Sequence, residues 1–132
     1  MGLLLSIVTP QRAVLETEVD SVVAPGAEGE FGVLPEHEAF LAPLRPGVVR
    51  YQGGDGSGRV AVASGFAEVT GERVTILVQT ADTSDEVDRE QAQAELSEAD
   101  EALRLGGATA DDAERARLEE QRALAQARLD AS

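Results

Sequence analysis

The chain changes character near Thr83, and that break constrains its fold more than any other feature. Before it, Gly, Pro and Val dominate in short runs; after it, Ala, Glu, Asp, Arg, Gln and Leu dominate and Pro is absent. β-branched residues suit strands, and Gly and Pro punctuate turns, whereas Ala, Leu, Glu, Gln and Arg are strong helix formers. The sequence therefore predicts a β domain over 1–82 and a helical domain over 83–132.

Short apolar runs in the first segment predict strands at Leu3–Val8, Ala13–Thr17, Val19–Ala24, Glu30–Leu34, Phe40–Leu44, Gly47–Tyr51, Arg59–Ser64, Phe66–Thr70 and Val74–Gln79. Turn chemistry separates them, as at Pro25-Gly26, Pro46-Gly47, Gly53 to Gly58 and Thr70-Gly71-Glu72. Val74, Ile76 and Val78 fall on one strand face; Thr75, Leu77 and Gln79 fall on the other. Closely spaced strands without intervening helices favour an antiparallel sandwich or barrel over a parallel sheet. Met1 to Val8 is apolar but short and lacks a basic leader, so it reads as a first strand rather than a signal peptide.

The second segment predicts an antiparallel helical hairpin. Thr83 and Glu86 have capping-box spacing, so a first helix is expected from there to about Leu105, ended by Gly106-Gly107. Thr109 and Asp112 predict a second start, with the helix running to about Asp130. Ala92, Leu96, Ala99 and Leu103 form one stripe on the first helix. The second carries two stripes, Ala113, Ala116, Leu124 and Ala127 against Leu118, Ala125 and Leu129. Either one packs on the first helix and the other on the β domain, or one serves a partner or a second position of the helix.

Charge and residue counts exclude several classes. The formal net charge is −14, so no basic surface is expected to neutralise nucleic-acid phosphates or anionic lipid. All eleven basic residues are Arg, and there is no Cys, which excludes disulfides, thiol catalysis and Cys-ligated zinc. The single His37 leaves no His-based metal cluster. Glu36-His37-Glu38 could in principle serve acid/base hydrolysis, but no nucleophile or oxyanion loop accompanies it. No apolar stretch approaches the length of a membrane span.

The stretch from Val23 to His37 contains Glu28-Gly29-Glu30-Phe31-Gly32-Val33-Leu34-Pro35-Glu36-His37, which resembles the signature loop of the F-type ATP synthase epsilon family, bacterial or chloroplast type. Leu44-Arg45-Pro46-Gly47, Val62 to Val69 and Val74-Thr75-Ile76-Leu77 resemble later motifs of that family in order and spacing. The resemblance implies a sandwich of about ten strands and a mobile two-helix C-terminal domain. It implies a non-catalytic subunit of the central stalk that couples proton-driven rotation to ATP synthesis. Its expected place is the cytoplasmic face of the bacterial plasma membrane, with the gamma subunit and the c-ring as partners.

Family contacts with the c-ring carry over to Glu28, Glu30 and His37, against the plainer reading of a solvated turn and a local hydrogen-bonding histidine. Some members bind ATP as a regulatory ligand through I/L-D-x-x-R-A; here Asp88 and Ala92 match, but Gln91 replaces the cation. Arg89 does not substitute for it, being about 200° away around the helix. A free-standing nucleotide sensor is the alternative that this departure disfavours. The tail of some members extends to the alpha and beta subunits and slows hydrolysis. Arg115, Arg122 and Arg128 are the corresponding candidates, or they pair along the surface, as Glu114 with Arg117 and Glu119 with Arg122.

Overall fold

The computed structural model describes residues 2–36, 38–53, 56–106 and 111–132. Ten strands precede two helices: β1 (Leu3–Val8), β2 (Ala13–Val19), β3 (Ser21–Gly26), β4 (Gly29–Val33), β5 (Phe40–Leu44), β6 (Gly47–Gly53), β7 (Gly56–Val62), β8 (Gly65–Val69), β9 (Arg73–Val78), β10 (Ala81–Thr83), α1 (Arg89–Gly106) and α2 (Asp112–Ala131). Hydrogen bonding runs β10-β7-β6-β3-β5-β8-β9-β1-β2, with β4 added to β3. The path folds over where β3 meets β5 through the single pair Gly26–Leu44, giving two layers, β10-β7-β6-β3-β4 and β5-β8-β9-β1-β2. All pairings are antiparallel except β1 with β9, which is parallel.

The core between the layers comes from one residue in two along each strand. Leu3, Leu5 and Ile7 of β1 lie beside Val74, Ile76 and Val78 of β9 in one layer and pack with Val49 of β6 and Val60 and Val62 of β7 from the other, all fully or nearly fully buried. Aromatics are scarce, and Phe31 packs against Phe40 edge-to-face at 5.4 Å, closing one side of this core. Such a contact adds about 0.5–1.5 kcal/mol beyond its burial.

The hairpin is folded onto the sandwich. α2 lies on the outer face of β6 and β7, where Ala127 and Ala131 close over Ala61 and Val48. Small side chains on both surfaces let helix and sheet approach closely. Ala92, Leu96 and Ala99 of α1 are buried, as their spacing predicts, and Leu118 and Ala125 of α2 are buried with them. Both apolar sides of α2 are therefore covered within the chain, but Ala113 and Ala116 are exposed and do not belong to the packed stripe. They precede the part of α2 that reaches the sandwich, from Glu120, which accepts from the Ser64 hydroxyl at 2.7 Å, to Ala131.

Three local expectations need correction. The Thr83–Glu86 box caps only a 3₁₀ turn, Ser84–Glu86; Val87 is extended (φ −74°, ψ 125°), and α1 begins at Arg89. Asp88 caps α1 instead, its carboxylate accepting the Gln91 N–H at 3.1 Å. At α2 the cap is Asp111, accepting from the Glu114 N–H at 2.7 Å; Thr109 lies outside the described residues, as does Gly107. Finally, Ala81–Thr83 is a strand on β7 that the sequence reading omits.

Candidate functional site

The segment read as an acidic loop is a tight hairpin. β3 and β4 pair from Val22–Val33 to Gly26–Gly29, leaving only Ala27 and Glu28 at the turn. Gly29 has φ +134°, a conformation that side chains rarely adopt. Gly26 is needed for a different reason: a Cβ there would lie 2.6 Å from the Gly29 carbonyl oxygen and 2.9 Å from the Phe31 ring. Glu28 is thus fixed at the tip and exposed.

Glu30 is not part of that tip. It lies within β4 opposite Pro25, on the outer face of its layer, and both of its carboxylate oxygens accept from Arg50 Nη2, at 3.1 and 3.0 Å. The sequence places these residues 20 positions apart, and the β3–β6 pairing brings them together. His37 lies outside the described residues. Its neighbour Glu36 has φ +68°, and its N–H donates to the Gly71 carbonyl at 2.8 Å.

The root of the hairpin gathers a second group. Asp82, Glu86, Val87, Asp88, Gln91, Ala92, Glu95 and Arg128 line one small cleft. Arg128 is its one cation, donating from Nε to Asp82 at 2.9 Å and from Nη1 to Glu95 at 3.3 Å. It ties the last turns of α2 to both β10 and α1. Ala92 is buried and Gln91 exposed. Arg122 pairs with Asp100 of α1 rather than with Glu119 along its own helix. Among the described residues Arg117 forms no ion pair with Glu114.

Beside this cleft Arg12 donates to Glu86, with a closest separation of 2.8 Å. That hydrogen bond, helped by the Thr83 backbone N–H and hydroxyl, holds the Glu86 carboxyl down from its ordinary 4.5 to about 2. The same contact raises the Arg12 guanidinium. The pair clips the β1–β2 turn to the 3₁₀ turn that leads into α1.

The opposite outer face, on β5, β8, β9 and β1, has no helix over it among the described residues. Pro43, Phe66, Leu77 and Val8 are cross-strand neighbours in a row, and Leu41 stands two residues along β5 from Pro43. Leu41 is 66% exposed, Phe66 52% and Leu77 47%. The sequence reading missed this row. The signal was the unbroken Ile76-Leu77-Val78, since a strand apolar on both faces is covered on both. Among the described residues no acidic or histidine cluster is arranged to hold a metal ion, and no helix is long and apolar enough to cross a membrane.

Comparison with known proteins agrees with this architecture. Residues 3–84 match the family described as ATP synthase, Delta/Epsilon chain, beta-sandwich domain. The ATP synthase epsilon chain of Desulforamulus reducens is 43% identical over 107 residues, covering 81% of each chain. That of Nitratidesulfovibrio vulgaris strain DP4 is 42% identical over 125 residues, covering 95% of this chain and 92% of that one. A chain of the Euglena gracilis mitochondrial ATP synthase, solved with OSCP, F1 and the c-ring, superposes with a TM-score of 0.79 at 26% identity, covering 98% of this chain and 80% of that one. A motif-bearing sandwich, a two-helix tail and relatives of this closeness show that the chain belongs to the ATP synthase epsilon family, as a non-catalytic subunit of that complex.

Proposed function

We propose that the chain is a coupling part of the central stalk, held to the gamma subunit by the bare apolar face and touching the c-ring through the β3–β4 turn. The observation that carries this is the row Pro43, Phe66, Leu77 and Val8 with Leu41 beside it. Large apolar side chains in a contiguous row mark a surface that a partner covers. Its opposite face is already covered by the chain's own α2. The family's place in the ATP synthase, and solved relatives that include the c-ring, support a partner from the stalk. On this reading the subunit is peripheral, at the cytoplasmic face of the membrane.

At the c-ring the reading rests on Glu28, which is exposed at the turn, while Glu30 is engaged by Arg50 and serves to brace the hairpin. An exposed carboxylate of this kind contributes about 0–1 kcal/mol and sets register more than affinity. The helical tail has a regulatory part. In the folded position Arg122 and Arg128 are held by Asp100, Asp82 and Glu95, so undocking of α2 frees both for acidic surfaces of the alpha and beta subunits. The acidic lining around Asp88, Gln91 and Ala92 favours a hairpin held by ion pairs rather than by ATP at that motif.

The test is binding to gamma. Phe66→Asp with Leu77→Asp should leave the sandwich folded, because both side chains are half exposed, and should weaken gamma binding at least about 100-fold, as loss of two central apolar contacts does. Wild-type affinity in the double variant sinks the assignment of this face.

A further inference from the structure

The bare face carries charge beside its apolar row. One step along the strands from that row, Leu41, Glu68, Thr75, Ser6 and Glu16 are cross-strand neighbours from β5 to β2. One step further, Arg73, Leu4 and Glu18 form a third row. Each step is two residues, about 7 Å along a strand. Glu68 and Glu16 stand three strand spacings apart, about 14 Å. All three carboxylates are exposed.

The chain provides no partners for this charge. Among the described residues Glu16, Glu18 and Glu68 form no ion pair, whereas Glu30, Asp82, Glu86, Glu95 and Asp100 are each held by an arginine. Arg73, the one cation in these rows, forms no ion pair among the described residues either. On β2, an edge strand, exposed charge discourages pairing with another sheet. That role does not account for Glu68, which lies on β8 between β5 and β9. A partner that covers Phe66 and Leu77 also covers Glu68, two residues along β8 from Phe66. Removing an unpaired carboxylate from water is costly, so such a partner must bring a cation.

We infer that the gamma-subunit surface meeting this face presents cationic groups about 14 Å apart on one side of its apolar strip, received by Glu68 at one end and by Glu16 and Glu18 at the other. This rests on the assignment of gamma to the bare face and adds what sets its orientation there. Thr75 and Ser6 separate the two acidic ends, so the charge is divided rather than spread along the row. The carboxylates lie on one side of the apolar row, so the same partner turned end for end would leave them unpaired. The apolar row supplies lasting contact, while the acidic ends steer the approach and fix the register, as charge complementarity does at interfaces.

The experiment is rapid-mixing kinetics of the full chain with an F1 complex that holds gamma and lacks this subunit. Glu16→Gln with Glu18→Gln and Glu68→Gln should slow association about tenfold at an ionic strength of about 0.05 M, and should match the wild type near 1 M, where the screening length is about 3 Å. Glu68→Gln alone, the mildest change to the sheet, should slow it about threefold. Glu90→Gln with Glu98→Gln and Glu119→Gln removes the same charge from exposed positions on the helices and should leave the rate within about twofold of wild type. Equal slowing by the two triple variants would mean that net charge alone acts, and overturns the inference. A wild-type rate and salt dependence in the Glu16, Glu18 and Glu68 variant overturns it too. Phe66→Asp with Leu77→Asp separates the two levels. Wild-type affinity in that variant sinks the face assignment and the inference together; lost affinity there, with no slowing in the acidic triple, sinks the inference alone.

Discussion

The two outer faces of the sandwich solve the same problem in opposite ways. On β6–β7 the outward residues in line with the helix are Val48 and Ala61, and α2 closes over them with Ala127 and Ala131. On β5–β8–β9 the outward residues are Leu41, Pro43, Phe66 and Leu77, and nothing among the described residues covers them. The covered face is small-on-small and flanked by arginines, which lets a helix dock closely and come away at modest cost. The bare face is larger and more apolar, so leaving it exposed to water costs more. A detachable helix on one side and a lasting partner on the other is the arrangement that these side chains favour.

The largest effect that sharpens this contrast comes from adjacent residues of β9. Ile76→Ala should destabilise the sandwich by about 2–5 kcal/mol, because Ile76 is fully buried between the layers. Leu77→Ala, on the bare face, should change the stability of the isolated chain by less than about 0.5 kcal/mol while weakening gamma binding. Urea unfolding and calorimetry measure the two. Similar losses of stability at both positions would mean that the bare face is covered from within.

The next effect belongs to the covered face. Ala127→Leu overfills the space against Ala61 and Val48 and should cost about 1–3 kcal/mol in hairpin docking alone. Hydrogen exchange should then speed up in α2 and stay unchanged in β1 and β9. Uniform acceleration would show that hairpin and sandwich unfold as one unit.

Smaller again is the clasp at the root. Arg128 is about three-quarters buried and bridges Asp82 and Glu95, so Arg128→Gln should loosen α2 by about 1 kcal/mol, a several-fold change in exchange. The Arg12–Glu86 clip gives the least. Its folded carboxyl lies below its ordinary value, so the stabilisation is fully present above about pH 4.5 and is lost as pH falls toward 2. Glu86→Gln should remove that limb from the acid melting profile of the 3₁₀ turn. An unchanged profile would show that the clip contributes nothing.

Much of the fold was legible because its period is simple. Alternation in Val74, Ile76 and Val78 and the spacing of Ala92, Leu96 and Ala99 identify the faces that the structure buries. β10 was not legible, since Ala81-Asp82-Thr83 is too short to show a period and its pairing with β7 is set from a distance. The start of α1 was misplaced because Thr83 and Glu86 satisfy a cap pattern that a single 3₁₀ turn also uses. At the site, Glu28 could be located from its Gly neighbours. The roles of Glu30, Arg122 and Arg128 depend on Arg50, Asp100, Asp82 and Glu95, partners supplied by tertiary contact and invisible in local spacing.

Hydroxyl-radical footprinting of the chain, alone and with the gamma subunit, tests the central contrast most directly. The account predicts that Leu41, Phe66 and Leu77 react readily in the free chain and lose most of their reactivity on binding, while Val48 stays protected in both. Undiminished reactivity at Phe66 and Leu77 in the complex would contradict it, as would new protection confined to the β6–β7 side.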